Sequence, residues 1–320
     1  MGRRLRRALI GSSMRLVLRG PLWNGRSAPA CTGPYGPADG EGMTLLLLGD
    51  SSSVSVGALR REETVGAVLA GALVARWGGR VDVEVHARVG ATTAGLARQV
   101  RAAVRREGPG VALILIGGND VFLPGRSARR ARLLGAHVER LRAAGLHVVV
   151  GTCPDIGAAP ALRAWSGAVG TWRSRRLAVR QAEAALAAGA VVVSLTAPEF
   201  RSAPDELYCA DGFHPSGRGY ALYLERVSVA VCEAAAASRD ARTAWAGEAD
   251  FGGAAEAARC MVSLPGSCLL PLGRPVRGVA VRPFTPPPSA AAGVTGPSAA
   301  AGVTVPGNRR GERSPAGTVR

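Results

Sequence analysis

Apolar runs of strand length alternate with helical patterns over most of the chain. The runs cover residues 44–49, 81–87, 111–117, 147–152 and 190–195. Helices are predicted between and after them, over residues 64–77, 93–106, 127–144, 175–188 and 216–237. Strands that are apolar throughout and alternate with helices indicate a parallel sheet covered on both faces. Ligands of such sheets bind beyond the carboxyl ends of the strands.

Both ends of the chain lack this alternation. In residues 1–42, Arg15 and Arg19 interrupt the apolar stretch that a signal peptide needs, so we expect a cytoplasmic protein. The stretch 21–42 is rich in Gly, Pro and Ser, which predicts a disordered extension over residues 1–42. Met43 directly precedes the first predicted strand, and we hypothesise that translation starts there. Residues 239–320 contain Ser-Ala-Ala-Ala-Gly-Val-Thr twice and are predicted to be a low-complexity, disordered tail. One domain is therefore predicted over residues 43–238.

The charge of the chain is strongly positive but dispersed. The formal net charge is +17, all basic residues are Arg, and the excess is shared among residues 1–42, 43–238 and 239–320. A specific nucleic-acid reader concentrates its charge on one element, and aromatic residues make up only 4% here. We therefore expect no specific nucleic-acid partner, but weak non-specific contact with anionic surfaces through Arg.

The cysteines and histidines show no metal-binding pattern. None of the six cysteines is in C-x-x-C spacing, and the four histidines are not paired at ligand spacing. We predict no metal site. The thiols are either free and buried or, in an exported protein, paired in a disulfide.

Polar residues follow the first two predicted strands. Gly49, Asp50 and Ser51 end the first, where a serine serves either as a helix cap or turn residue, or as a nucleophile. Gly90 follows the second strand and is either a turn residue or a backbone donor that lies close to a ligand. All of these residues are expected at the ligand-binding edge of the sheet.

Two further stretches supply a donor, a base and a carboxylate. Asn119 follows the third strand and either caps a helix or offers its amide to a developing oxyanion. Asp211 precedes His214 by three residues in the loop before the last helix, so its carboxylate can accept the imidazole N–H and leave the other nitrogen free as a base.

Taken together and in this order, the four stretches resemble the SGNH (GDSL-type) hydrolase family. The matched motifs are Gly-Asp-Ser, the glycine of the second block, Gly-x-Asn-Asp and Asp-x-x-His-Pro, and the resemblance covers roughly residues 43–238. It implies a three-layer α/β/α flavodoxin-like fold with a five-stranded parallel sheet of order 2-1-3-4-5. It also implies serine esterase or lipase chemistry that needs no cofactor.

The resemblance also implies roles for individual residues. Ser51 is the nucleophile, His214 the general base and Asp211 the residue that orients it. The N–H groups of Ser51 and Gly90 and the side chain of Asn119 form the oxyanion hole. We expect an acyl-enzyme mechanism on a small-molecule or lipid ester.

Several other positions and functions are left open. Val89 stands where many family members have Asn, and the serines next to Ser51 are interpreted as turn and helix-entry residues. Trp165 and Trp172 either line an acyl pocket or pack in the core. The alternatives to ester hydrolysis are acyl transfer or carbohydrate O-deacetylation on the same fold and, ranked below these, a non-catalytic binding module.

Overall fold

The fold is built on one mixed sheet. The computed structural model describes residue 18 and residues 28–39, 42–106, 108, 110–238, 248–271 and 276–279. The strands of this part are β1 (Gly33–Tyr35), β2 (Gly42–Gly49), β3 (Arg80–Val85), β4 (Gly110–Leu115), β5 (His147–Gly151), β6 (Val191–Val193), β7 (Glu248–Phe251), β8 (Cys268–Leu270) and β9 (Val276–Val279). Their spatial order is β1-β3-β2-β4-β5-β6-β8-β9-β7.

The centre of the sheet is parallel. Strands β3, β2, β4, β5 and β6 pair in parallel in that order. Their connections pass through the helices α1 (Ser51–Val54), α2 (Val65–Trp77), α3 (Leu96–Ala103), α4 (Gly118–Val121), α5 (Ser127–Ala143) and α6 (Ala164–Ala187). The helices α7 (Glu199–Ser202), α8 (Pro204–Leu207), α9 (Gly217–Ser238) and α10 (Ala254–Met261) follow β6.

Two apolar cores separate the sheet from its helices. Leu46 and Leu48 of β2 face the core formed with α3, α5, α6 and α10. Leu45 and Leu47 point to the other face and pack against α2 and α9. Successive side chains of a strand alternate between the faces, so an uninterrupted leucine run buries both. The predicted α/β class with helices on both faces is confirmed.

Four antiparallel strands correct the predicted sheet and its boundaries. At one edge, β1 pairs with β3 and precedes the predicted start at residue 43. At the other edge, β8 pairs with β6 and β9 joins β8 to β7, although residues 239–320 were predicted to be disordered. These strands have only three or four residues, too few for a recognisable periodicity. They are stabilised by covering the exposed edges of the parallel sheet.

The segment after β5 also differs from the prediction. Helix α6 begins at Ala164, eleven residues before the predicted start, and packs closely against the turn at 156–158. A Cβ on Gly157 would lie 2.1 Å from the Thr171 hydroxyl oxygen, and a Cβ on Gly170 would lie 3.1 Å from the Gly157 Cα. These glycines, which made the segment resemble a loop, allow a helix and a turn to approach each other closely.

Three properties concern the described ranges as a whole. None of their helices is both long enough and apolar enough to cross a membrane. No three His, Cys, Asp or Glu side chains within them are grouped to hold a metal ion. All six cysteines are free thiols, of which Cys31, Cys153 and Cys268 are buried.

Candidate active site

The turn from β2 into α1 holds Ser51 in a rigid frame. Gly49 has φ +137°, and a Cβ there would lie 1.9 Å from the Leu115 carbonyl oxygen, so only glycine fits. The Gly49 N–H donates to Oε1 of buried Gln99 at 2.7 Å, and Nε2 of Gln99 donates back to the Gly49 carbonyl at 2.9 Å. Asp50 N–H donates to Leu115 at 3.1 Å. The backbone directly before Ser51 is therefore held firmly in place.

The side chains of two other serines of this turn, Ser53 and Ser55, are hydrogen-bonded to the backbone. The Ser53 hydroxyl donates to the Leu48 carbonyl at 2.7 Å. Ser55, in the left-handed region at φ +69°, accepts from the Val65 N–H at 2.9 Å through its side chain. These contacts fit the turn and helix-entry roles predicted for them, and Ser51 alone of the group has a hydrogen bond to an imidazole.

Ser51, His214 and Asp211 lie in one line of hydrogen bonds. The distance from Ser51 Oγ to His214 Nε2 is 3.0 Å, and His214 Nδ1 lies 2.6 Å from Asp211 Oδ2. Ser51 and His214 are 8% and 6% exposed. Since water has little access to the contacts, the charged and hydrogen-bonded groups interact strongly.

A compact loop fixes the orientation of Asp211. Its Oδ1 accepts the N–H groups of Phe213 and His214 at 2.8 and 2.9 Å, and the Cys209 thiol lies 3.2 Å away. Burial raises the pKa of Asp211, but the hydrogen bonds and positive charge of His214 outweigh it and lower the pKa from 3.8 to about 2. Asp211 is therefore an ionised acceptor for the Nδ1 proton of His214 throughout the neutral range.

The predicted oxyanion donors come from neighbouring loops. The Asn119 amide donates through Nδ2 to the Ala91 carbonyl at 2.9 Å, next to Gly90. Arg88 N–H donates to the Gly49 carbonyl at 3.1 Å, which joins the loop of Gly90 to the turn of Ser51. Gly90 has φ +74°, and among the described residues none accepts its N–H. The amide of Asn119 has a second hydrogen to donate.

Asn119 does not cap a helix. Helix α4 begins at Gly118 with Gly117 as its N-cap and without a side-chain capping bond. The helix-cap alternative considered for Asn119 is therefore wrong, since its side chain points across to the neighbouring loop instead.

A buried carboxylate that sequence reasoning left out of the site holds these two loops together. Asp120 Oδ2 accepts from both the N–H and the hydroxyl of Thr93, at 2.8 and 2.9 Å. Its Oδ1 lies 3.3 Å from Nε of Arg130. Asp120 was part of the third motif, so its position after Asn119 was a usable signal. The sequence also holds a signal for Gln99, because this polar residue lies on the same helix face as the apolar Leu96, Val100 and Ala103.

A second carboxylate lies directly before Ser51. Asp50 is 4% exposed and caps α1 by accepting the Ser52 N–H at 3.0 Å. Burial is the main influence on this group and raises its pKa from 3.8 to about 6, although the Ser52 N–H and His214 act in the opposite direction. The ionisation of Asp50 is therefore unfavourable to the folded state.

An apolar wall adjoins the His214 loop. The ring of Phe213 packs edge-on against the His214 ring at 5.2 Å and lies 6.1 Å from the ring of Phe122. Both belong to a small cluster around Leu162 and Ala159. Sequence reasoning missed these phenylalanines because single aromatic residues in loops carry no periodic signal.

The two tryptophans lie elsewhere. Trp165 and Trp172 are on the first three turns of α6 and are each 59% exposed. Arg176 covers the Trp172 ring at 5.5 Å. Packing of these residues in the core, one of the two predicted alternatives, is wrong because α6 turns this face to solvent. No described contact joins either ring to Ser51 or His214.

The site lies within a segment that matches a known family. The profile of the GDSL-like lipase/acylhydrolase family matches residues 47–222, more than half of the chain. This segment contains Ser51, Gly90, Asn119, Asp211 and His214. The chain belongs to the GDSL-like lipase/acylhydrolase family.

The chain is also similar to individual proteins of known sequence or structure. A GDSL-like esterase of Mycobacterium tuberculosis is 38% identical over 194 residues, which are 59% of this chain and 62% of that esterase. The match thus spans less than two thirds of the relative. The psychrotrophic esterase EstA of a Pseudoalteromonas species is 20% identical, with a TM-score of 0.47 and coverage of 59% of this chain and 96% of EstA. An acetyl-xylooligosaccharide esterase of Geobacillus is 18% identical, with a TM-score of 0.44 and coverage of 63% and 97%.

Proposed function

We propose that the protein is a serine hydrolase that cleaves carboxylic esters through an acyl-enzyme on Ser51. The observation that carries this proposal is the line of hydrogen bonds from Ser51 Oγ through His214 to Asp211, at 3.0 and 2.6 Å. A serine hydroxyl is a weak nucleophile unless an adjacent base removes its proton. Nε2 of His214 is within reach of that proton, and Asp211 supports the imidazolium that results.

The reaction has two steps of similar form. The Ser51 oxygen attacks the ester carbonyl carbon while its proton passes to His214, and His214 then protonates the departing alcohol as the carbon–oxygen bond breaks. Water next attacks the acyl group on Ser51. It gives its proton to His214, which returns it to the Ser51 oxygen when the acid leaves.

The negative charge that develops on the carbonyl oxygen needs donors placed in advance. We assign this role to the N–H groups of Ser51 and Gly90 and to the second N–H of Asn119. Support comes from the ties among their loops, through Ala91 and Arg88, which hold the donors without reorganisation during the reaction. The first-turn N–H groups of a helix such as α1 have no partner inside the helix.

The experiment that tests the proposal is covalent labelling with an alkyl fluorophosphonate, alongside turnover of p-nitrophenyl butyrate. Ser51→Ala should lose the label and lower kcat by roughly 10⁴–10⁶. Ser52→Ala is the matched control, because it removes a neighbouring hydroxyl and leaves the Ser52 N–H bond to Asp50 intact. Labelling that persists in Ser51→Ala and maps to another serine would exclude the assignment.

Hydrolysis and acyl transfer share the acyl-enzyme and differ in its acceptor. Product analysis in the presence of a primary alcohol separates them. Hydrolysis yields the free acid as the main product, whereas transfer yields a new ester in proportion to the alcohol concentration.

A further inference from the structure

A cavity of about 570 Å³ lies beside the two loops that carry the oxyanion donors. Its wall includes Thr92 and Asp120. These residues follow Ala91 and Asn119 directly, and Ala91 and Asn119 are hydrogen-bonded to each other. The cavity therefore adjoins the loops from which the proposed oxyanion donors come.

The cavity is lined by more positive charge than the fold neutralises. Arg126, Arg129, Arg130 and Arg132 line it, and Asp120 is the carboxylate among its lining residues. Arg130 pairs with Asp120 at 3.3 Å. For the other three arginines, the described part of the chain supplies neither an ion pair nor a side-chain hydrogen bond. The cavity thus has three uncompensated guanidinium groups at its rim.

A fifth arginine adds to this excess. Arg173 of α6 donates to the carbonyl of Leu123, another residue of the cavity wall. Burial and, after it, the positive charge of Arg130 lower the pKa of Arg173. Arg173 and Arg130 thus lie close enough to repel each other.

Helix stability does not explain the arginines. They lie in and just before the first two turns of α5, which has no acidic residue in its first turn. Positive charges near this end oppose the helix dipole, and like charges three or four residues apart repel each other. Both effects are unfavourable, and a bound anion would relieve both.

The rest of the wall is apolar. Ala94, Leu123, Pro124 and Leu133 contribute hydrocarbon surface, to which the arginine stems add. A ligand that suits this lining combines a short hydrocarbon segment with an anionic group that several guanidiniums can bind.

We propose that the cavity binds the anionic end of the ester substrate, a carboxylate, sulfonate or phosphate group linked to the scissile ester through a short hydrocarbon segment. The proposal rests on the ester hydrolysis proposed above and names its substrate class. The anion can belong to the acyl part or to the alcohol part of the ester, and two pairs of substrates distinguish these sources.

The test compares kcat/KM for charged and neutral esters of matched size. On the acyl side, the mono-p-nitrophenyl ester of adipic acid is compared with p-nitrophenyl hexanoate. On the alcohol side, the acetate of p-hydroxybenzenesulfonate is compared with phenyl acetate. Each charged-to-neutral ratio is divided by the same ratio for hydroxide-catalysed hydrolysis, which removes differences in intrinsic reactivity.

The triple variant Arg126→Gln/Arg129→Gln/Arg132→Gln should lower the charged-to-neutral ratio of kcat/KM by roughly tenfold for one of the two substrate pairs. Each exposed ion pair contributes only a small factor to binding, and the factors of three arginines multiply. The matched control is Arg101→Gln/Arg105→Gln/Arg140→Gln. It removes the same charge from exposed positions outside the cavity lining. The control should keep the wild-type ratio.

Rising salt should reduce the wild-type ratio as it screens the rim charges. If neutral esters are hydrolysed but the charged-to-neutral ratio is the same in wild type and cavity variant for both substrate pairs, the cavity assignment is overturned and the proposed function stands. An equal loss in the control also overturns it, because overall charge then explains the preference. Hydrolysis of no ester at all overturns the proposed function and the cavity assignment together.

Discussion

Replacing Asp211 by Asn removes the charge opposite His214 while keeping the size of the side chain. Asp211 has its pKa lowered to about 2 in the folded protein, against an ordinary value of 3.8. This difference means that the fold favours the ionised carboxylate by about 2 kcal/mol. The contribution is complete above about pH 4 and is lost as the pH falls toward 2, because the carboxylate is then protonated in both states.

The effect of Asp211→Asn on activity follows from the hydrogen bonds of the loop. Oδ1 accepts the N–H groups of Phe213 and His214, so the oxygen of an asparagine amide would take this position. The amide N–H₂ would then face Nδ1 of His214 and require it to be unprotonated. The proton of a neutral imidazole would lie on Nε2, facing Ser51, where it blocks the base. We expect kcat to fall by about 10⁴.

Two assays check this prediction. The kcat for p-nitrophenyl butyrate reports the tautomer, and urea unfolding at pH 7 and at pH 3 reports the stability difference between wild type and variant. Asp155→Asn is the control, because Asp155 pairs with Arg201 and caps the turn at 156–158 without touching His214. A folded Asp211→Asn variant with kcat within tenfold of wild type, or a stability loss that is the same at both pH values, would refute the reasoning.

Three further predictions concern the oxyanion donor, the buried acid and the domain boundaries. Asn119→Ala should lower kcat by roughly 10²–10³ with little change in KM. Asn119→Asp should be at least as impaired, because the charge of the aspartate repels the oxyanion. A fully active Asn119→Asp enzyme would exclude Asn119 as an oxyanion donor. Burial raises the pKa of Asp50 to about 6, so its ionisation costs stability as the pH rises from about 4 to above 6. Asp50→Asn should therefore stabilise the protein at pH 8 by up to about 3 kcal/mol relative to its effect at pH 4, measured by urea unfolding; an equal effect at both pH values contradicts this. A protein of residues 43–238 should melt at a lower temperature and aggregate more than a protein of residues 28–279, because it exposes the edge of β6 and the apolar surface that buried Leu269 covers. Thermal denaturation followed by light scattering measures both effects, and equal melting temperatures would contradict the prediction.

The sequence by itself determined the parallel centre of the fold and the polar residues at its edge. Fully apolar runs such as 44–49 predict strands buried on both faces, and their alternation with helices predicts a covered parallel sheet. Because the carboxyl ends of parallel strands lie at one edge, residues after different strands are expected to meet. Ser51 and Asn119 follow this rule. Both can be located from the sequence because the strand patterns before them and the short motifs that contain them span only a few consecutive residues.

The tertiary structure decided what local patterns do not encode. Strand β8 has three residues and exists because β6 offers an unpaired edge. Trp165 and Trp172 lie outside the core because of the way α6 packs, which their own residue types do not reveal. The side chain of Gln99 is hydrogen-bonded to the Gly49 backbone, and the side chain of Asp120 is hydrogen-bonded to Thr93. In both cases the partner is distant in sequence.

The same distinction holds for the proposed reaction centre. Ser51 and His214 are separated by 163 residues in sequence and by 3.0 Å between Oγ and Nε2 in space. The motifs identify both side chains, but their distance depends on the packing of the turn after β2 against the loop before α9. The Tyr220 hydroxyl, which donates to the Val56 carbonyl at 2.8 Å, and the Gly57 backbone, on which a Cβ would lie 2.2 Å from the Pro215 carbonyl oxygen, hold these segments together. Such contacts form only when the whole sheet is assembled. Bringing residues together that are distant in sequence costs loop-closure entropy, and the burial of the apolar core against the sheet offsets this cost.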